Sequence, residues 1–352
     1  MNYRNRYSVS QTREFMATIA EVAQRAGVST KTVSRVMNNY EHISSKTRDK
    51  VERAIEELSF QPGFATTASR IGESLSIGML YGDPSSGYQA RLNHAVLKAC
   101  SDARRYLAVE LFDEKSTDWR HQLESFLDRT GVRNLILVPP MCDSADLHEL
   151  LRERGVRHVL ISPSRPVSGD ISIVMDEFRA SREITNHIIE LGHKRIGHIS
   201  GHPDHVATIL RRQGFEEAMA KAGLATDEFM VVKSGRFRFR AALQCAEDML
   251  SSPNPPTAIF AANDEMASAV VMAANRLGLR VPEDLSVAGF DDAPIASVMW
   301  PDLTTIAQPF EKIGEAAVSA FMKNRPSDEQ VSETIVLPHQ LIVRASTGPV
   351  KS

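Results

Sequence analysis

At 352 residues, 42% apolar and 24% charged, the chain has an ordinary globular composition and is long enough for one small and one large domain, or for three lobes. No apolar run approaches the roughly 18 residues that span a bilayer, which excludes a membrane-spanning helix. Cys100, Cys142 and Cys245 are odd in number, widely spaced and without a CxxC, which argues against a disulfide framework or a zinc site and fits a cytoplasmic protein. The net charge of −3 is uneven, because residues 1–74 carry 11 Lys+Arg against 8 Asp+Glu; a modestly basic end precedes an acidic body, as expected where a polyanion docks at one end.

Residues 1–16, MNYRNRYSVSQTREFM, contain no apolar core and read as a disordered basic extension rather than a secretory signal. Residues 17–61 then carry two short helical patterns that meet across a glycine. Ile19, Val22, Ala23 and Ala26 fall at helical spacing behind a capping Thr18, Gly27 supplies a left-handed stop, and Val28 tucks under the turn. Ser29 or Thr30 can cap a second helix whose buried face is Val33, Val36 and Met37. A third helix from about Ser45 buries Val51, Ile55 and Leu58, completing a helix-turn-helix unit. Its outward side chains, Thr30, Lys31, Thr32, Ser34, Arg35 and Asn38, are small polar or basic groups suited to base edges and phosphates; a merely solvated polar face is the bland alternative.

The segment AEVAQRAGVSTKTVSRVMNN closely resembles the headpiece of the LacI/GalR family in residue type and spacing, and the resemblance continues along nearly the whole chain from residue 17. It implies a sequence-specific DNA-binding regulator whose second helix enters the major groove. Thr18, Thr30, Lys31, Thr32, Ser34, Arg35, Asn38 and His42 are then the DNA-contacting candidates: Thr30, Lys31 and Ser34 for base edges, Arg35 for a base or a phosphate. Residues 62–74 form the expected hinge, which in the family folds on operator DNA and wedges leucines into the minor groove. This chain departs from that pattern, with Ser69 at the expected leucine, Gly63 for the usual Asn, and β-branched Thr66 and Thr67. Either the hinge helix is weak, or another side chain such as Ile71 reaches the groove.

From Leu75 onward, short β-rich runs (SIGMLYG, YLAVELF, NLILVPP, HVLISP, SIVMD, RIGHISG, FMVVKSG, AIFAAND, LSVAGFD) alternate with amphipathic helical stretches. Such alternation implies parallel sheets covered on both faces. The expected architecture is a small all-α headpiece followed by two doubly wound α/β lobes of periplasmic-binding-protein type, an effector-binding and dimerisation domain over residues 75–348. Lobe 1 covers about 75–174 with part of 304–335, and lobe 2 about 175–303 with part of 336–348.

Ligands in such folds lie beyond the carboxyl ends of the strands. By resemblance, Arg211, Asn263 and Asp291 match effector-contacting positions, Phe237 an aromatic that stacks on the ligand, and Gln308 a residue near the pocket; without the resemblance, capping is the simpler role for the Asn and Asp. Arg236, Arg238 and Arg240 make the loop around Phe237 unusually basic. The spacings of His193, His198, His202 and His205 do not favour a metal site, so no metal or cofactor is expected. No GxSxG, P-loop or GxGxxG is present, and an enzyme is disfavoured. The expected partners are palindromic operator DNA, a mono- or oligosaccharide effector and a second copy of the chain as a homodimer, with no membrane. The rivals are a transport-type sugar-binding protein and a regulator dependent on a nucleobase-like corepressor.

Overall fold

The computed structural model describes residues 19–37, 40, 43–58, 75–82, 87–113, 115–226, 230–322 and 332–351. The expectations for Thr18, Asn38, His42, the first 16 residues and the hinge residues Gly63, Ser69 and Ile71 lie outside these. The chain divides into two compact units, Met1–Glu73 and Ser74–Ser352.

The first unit holds three helices, α1 (Ile19–Ala26), α2 (Thr30–Met37) and α3 (Ser45–Glu57). Val22, Ala23, Ala26, Val33, Val36, Val51 and Ala54 close around one another, with Val28, Met37, Ile43, Ile55 and Leu58 packed against them. Gly27 sits at φ +67°, a left-handed conformation that lets the Val28 N–H donate to the Ala23 carbonyl at 3.0 Å and end α1. Of the two possible caps for α2 the structure selects Ser29, whose Oγ accepts from the Thr32 N–H at 3.1 Å. An Arg25–Glu57 ion pair ties α1 to the end of α3.

The second unit carries strands β1 (Ser76–Tyr81), β2 (Tyr106–Leu111), β3 (Asn134–Leu137), β4 (Arg157–Ile161), β5 (Ile171–Met175), β6 (Ile196–Ser200), β7 (Met230–Ser234), β8 (Ala258–Ala261), β9 (Ser286–Ala288), β10 (Thr305–Ala307), β11 (Glu333–Leu337) and β12 (Gln340–Ile342). Between them run α4 (Gly87–Asp102), α5 (Trp119–Thr130), α6 (Ala145–Glu153), α7 (Glu177–Glu190), α8 (Val206–Lys221), α9 (Phe239–Leu250), α10 (Asp264–Arg276), α11 (Pro294–Val298) and α12 (Phe310–Met322). Lobe 1 is a parallel sheet in the order β11-β5-β4-β3-β1-β2, and lobe 2 a parallel sheet in the order β7-β6-β8-β9. Strands buried on both faces need near-continuous apolar sequence, and Ile77, Met79 and Leu80 in β1 or Ala258, Ile259, Phe260 and Ala261 in β8 supply it.

The lobes exchange chain at three places. β5 ends in lobe 1 and α7 begins in lobe 2, with Asp176 between them capping α7 by accepting from the Arg179 N–H at 2.8 Å. After β10 the chain passes Gln308 and Pro309 into α12, which packs on α4 of lobe 1; after β11 it returns to β12, the antiparallel partner of β10. Residues 304–307 align beside β9 through the Ala288–Thr304 and Asp291–Ala307 bridges, so this return segment belongs to lobe 2 and β11, through Leu337, to lobe 1.

Candidate functional site

Helix α2 presents Thr30, Lys31 and Arg35 to solvent, while Thr32 and Ser34 are half-buried. Thr32 is engaged locally, its Oγ1 lying 2.9 Å from the Ser29 Oγ that caps the helix. The Arg35 guanidinium lies over the Tyr40 ring at 5.5 Å, an arrangement that holds a charged group at the end of the helix without burying it. An exposed row of hydroxyl, ammonium and guanidinium on a rigid helix can donate to base edges and phosphates alike.

In the second unit a cavity of about 440 Å³ lies beyond the carboxyl ends of β8 and β9, facing the start of α4. Tyr88 from lobe 1 and Phe239, Asn263, Asp264 and Asp291 from lobe 2 line it. Behind this wall sits a buried ionic cluster. Arg211, 4% exposed, donates through Nε to Glu177 at 2.7 Å and through Nη1 to the Ala262 carbonyl, and approaches Asp291 Oδ1 to 3.7 Å. The Phe290 ring lies 3.6 Å from its Cζ. Gln308 Nε2 donates to Asp291 Oδ1 at 2.6 Å. Glu177 and Gln308 stand at two of the three chain crossings, so the cluster sits where the lobes meet.

Each charge is displaced by its surroundings. Burial pushes the Asp291 carboxyl up to about 6, although Arg211 and the Gln308 hydrogen bond pull the other way. Burial works against the Arg211 cation, but Glu177 and Asp291 more than offset it and raise its pKa. Asp264 is raised well above the usual carboxylate range, first by burial and then by Asp291; its oxygens accept from Thr305 Oγ1 at 2.6 Å and the Ala293 N–H at 2.7 Å. Tyr88 is raised by burial and by the nearby Glu177 and Asp291 charges. A site that holds two carboxyls this close disfavours a further anion and suits a neutral ligand rich in donors.

The structure therefore brings Arg211, Asp291 and Gln308 together. Asn263 lines the cavity but spends its Oδ1 as the cap of α10, accepting from the Met266 N–H at 2.9 Å. Phe237 lies against Gly201 at the end of β6, its ring 5.6 Å from that of His205, and the aromatic in the cavity wall is Phe239. The positive φ of both Arg236 and Phe237 turns the chain there. Arg236, Arg238 and Arg240 are exposed. Sequence reasoning passed over Tyr88, Glu177 and Phe239; their one signal is position, each opening the helix that follows a strand or a crossing.

The flagged histidines do not assemble. His193 bonds Thr257 and Ser286 at 2.9 and 3.0 Å, and His198 is sandwiched between Phe215 and Phe260, where burial lowers it to about 3. His202 and His205 stand with their rings 5.6 Å apart at the strand end.

Comparison with known proteins bears on both units. Residues 18–63 match the family described as bacterial regulatory proteins, lacI family, and residues 185–347 match a periplasmic binding protein-like domain. The HTH-type transcriptional repressor PurR of Photobacterium profundum is 30% identical over 332 residues, covering 94% of this chain and 98% of that protein. The chain belongs to the LacI family. The ribose operon repressor of Escherichia coli (strain K12), another member, is 32% identical over 312 residues, covering 87% of this chain and 92% of its own. The structure of the lac repressor dimer bound to operator and the anti-inducer ONPF aligns with a TM-score of 0.78 and 27% identity, over 94% of this chain and 99% of that one. As a LacI-family protein it is a DNA-binding transcriptional repressor, with the family's helix-turn-helix unit and two α/β lobes, and it is not an enzyme.

Proposed function

We infer that this LacI-family repressor acts as a homodimer on a palindromic operator and is controlled by a neutral, hydroxyl-rich effector, a mono- or oligosaccharide, bound between the lobes. The observation that carries the effector reading is the buried Arg211–Asp291–Gln308 cluster behind the cavity. Within it the cavity-lining Asp291 is held by the Arg211 cation and the Gln308 amide, which suits it to accept from ligand hydroxyls. The family resemblance and the ribose operon repressor relative point the same way. Asn263 adds a further polar contact from the cavity wall, and Thr30, Lys31, Ser34 and Arg35 read the operator.

Dimerisation is supported by exposed apolar side chains on lobe 2. Val298 is 76% and Trp300 87% exposed, and beside them Met272, Ile295 and Met299 line a groove on α10 and α11. A monomer would leave this patch in water, and a two-fold partner would cover it while setting two recognition helices on one palindrome.

A nucleobase-like effector is the second reading, favoured by the Tyr88 and Phe239 rings in the cavity wall, between which a planar ligand could stack. Fluorescence anisotropy with DNA from upstream of the protein's own gene, against random DNA and with panels of sugars and nucleobases, separates the readings. The expected result is sequence-selective binding that one sugar changes, the direction of the change giving induction or corepression. A response to a nucleobase alone would replace the sugar reading, and binding indifferent to sequence would overturn the operator assignment.

A further inference from the structure

A second polar cluster lies inside lobe 1, away from the effector cleft. His148 on α6, His158 near the start of β4 and Asp170 immediately before β5 are 3%, 7% and 7% exposed. Two imidazoles and a carboxylate at core positions of an α/β layer carry a large desolvation cost, so they need partners. The protein supplies only part of that. His158 Nε2 pairs with Asp170 Oδ1 at 3.1 Å, whereas the buried Nε2 of His148 has no hydrogen-bond partner. The two rings stack with centroids 5.1 Å apart.

The remaining groups are arranged as metal ligands need them. One ligand atom from each of the three residues lies within 4.8 Å of the others, and the His158–Asp170 pair already stands near the roughly 3.3 Å that separates ligands around tetrahedral zinc. His158 Nδ1 lies 3.4 Å from the Val156 carbonyl, which can accept the ring proton once a metal displaces it from Nε2. Arg152 holds the other carboxylate oxygen of Asp170 at 3.0 Å, leaving Oδ1 to face inward. A mixed nitrogen and oxygen donor set of this kind suits a zinc-class divalent ion.

We propose that His148, His158 and Asp170 form a binding site for a zinc-class divalent metal that staples α6 to the amino ends of β4 and β5. A water molecule completes the coordination. The ion sits at the opposite end of the sheet from the cleft and acts on the rigidity of lobe 1, not as the effector.

The full-length protein, stripped with a chelator and dialysed, is titrated with zinc alone in competition with a chromophoric indicator, and its melting temperature is followed. One zinc per chain is expected, with a rise of about 5 °C at saturating metal. Cobalt substituted for zinc should give the visible absorption of a tetrahedral site. The apolar replacement His148→Leu should remove binding and the rise while keeping the core filled. If that variant does not fold, Asp170→Asn, which keeps the shape and the Arg152 contact, should weaken zinc at least tenfold. Absence of stoichiometric zinc in the folded protein overturns the proposal. So does binding that survives both substitutions, or that disappears instead in a His202→Ala, His205→Ala variant.

Discussion

Asp291 is held at φ +107°, and Asp292 after it at +50°, conformations costly for residues with a Cβ. Neighbours impose them: the Asp291 N–H donates to the Ile306 carbonyl at 2.8 Å and Arg344 donates to Asp292 at 2.7 Å. The strained turn sets Asp291 in the cluster with its carboxyl raised from 3.8 to about 6. Because the folded state holds this proton more tightly than the unfolded chain, the group favours folding most at low pH, and that contribution is lost as pH rises through about 6. Between pH 4 and 7 the unliganded wild type should therefore lose up to about 3 kcal/mol relative to Asp291→Asn, read by urea denaturation across that range. An unchanged pH profile in the variant would remove the buried acid from the account. Arg211→Met leaves Glu177 and Asp291 buried without their cation and should cost about 3–5 kcal/mol. Gly289 shows how closely the wall is built, since a Cβ there would run into Asp264 Oδ1.

At the scale of one element, α2 separates an exposed polar face from a buried apolar one. Lys31 and Arg35 are exposed, whereas Val33 and Val36 are buried in the helical core. Lys31→Ala and Arg35→Ala should each weaken operator binding at least tenfold, yet shift stability by no more than about 0.5 kcal/mol. Gel-shift titration beside thermal melting tests both halves, and a large melting change would mean that these side chains hold the fold. Gly27→Val places a β-branched residue at φ +67° and should destabilise the helical unit by about 1–2 kcal/mol, lowering DNA affinity without any lost contact.

For the whole molecule, the crossings make the cleft a candidate switch. Glu177 and Gln308 belong to segments that pass between lobes, and Arg91 on α4 donates to the Asp292 carbonyl of lobe 2. A ligand that prefers one lobe arrangement would shift that equilibrium, and DNA would alter ligand affinity by the same factor. Asp291→Ala should therefore spare operator binding while removing its response to ligand; a retained response would sink the cleft assignment. The double change Val298→Asp, Trp300→Asp should yield a monomer that keeps ligand but loses operator affinity, measured by sedimentation and anisotropy; a persistent dimer would move the interface elsewhere.

Much of this molecule follows from local pattern. Helical spacing at Val22, Ala23 and Ala26, a glycine stop and apolar runs separated by amphipathic helices are properties of neighbouring residues, so the helix-turn-helix unit and the α/β alternation were legible in order. The family resemblance singled out Arg211, Asp291 and Gln308; without it Asp291 reads as a cap and the other two carry no signal. Tertiary structure decided which side chains face the cavity. Asn263 and Asp264 both line the cavity, the one while capping α10 and the other while held by Thr305 and Ala293; Phe237 folds onto Gly201 while Phe239 takes the wall, because the positive-φ turn at Arg236 and Phe237 aims side chains in a way that spacing does not encode. The same holds for His148, His158 and Asp170. They lie on a helix, a strand and a turn, and only tertiary packing, with α6 against β4, removes water from all three and sets them side by side.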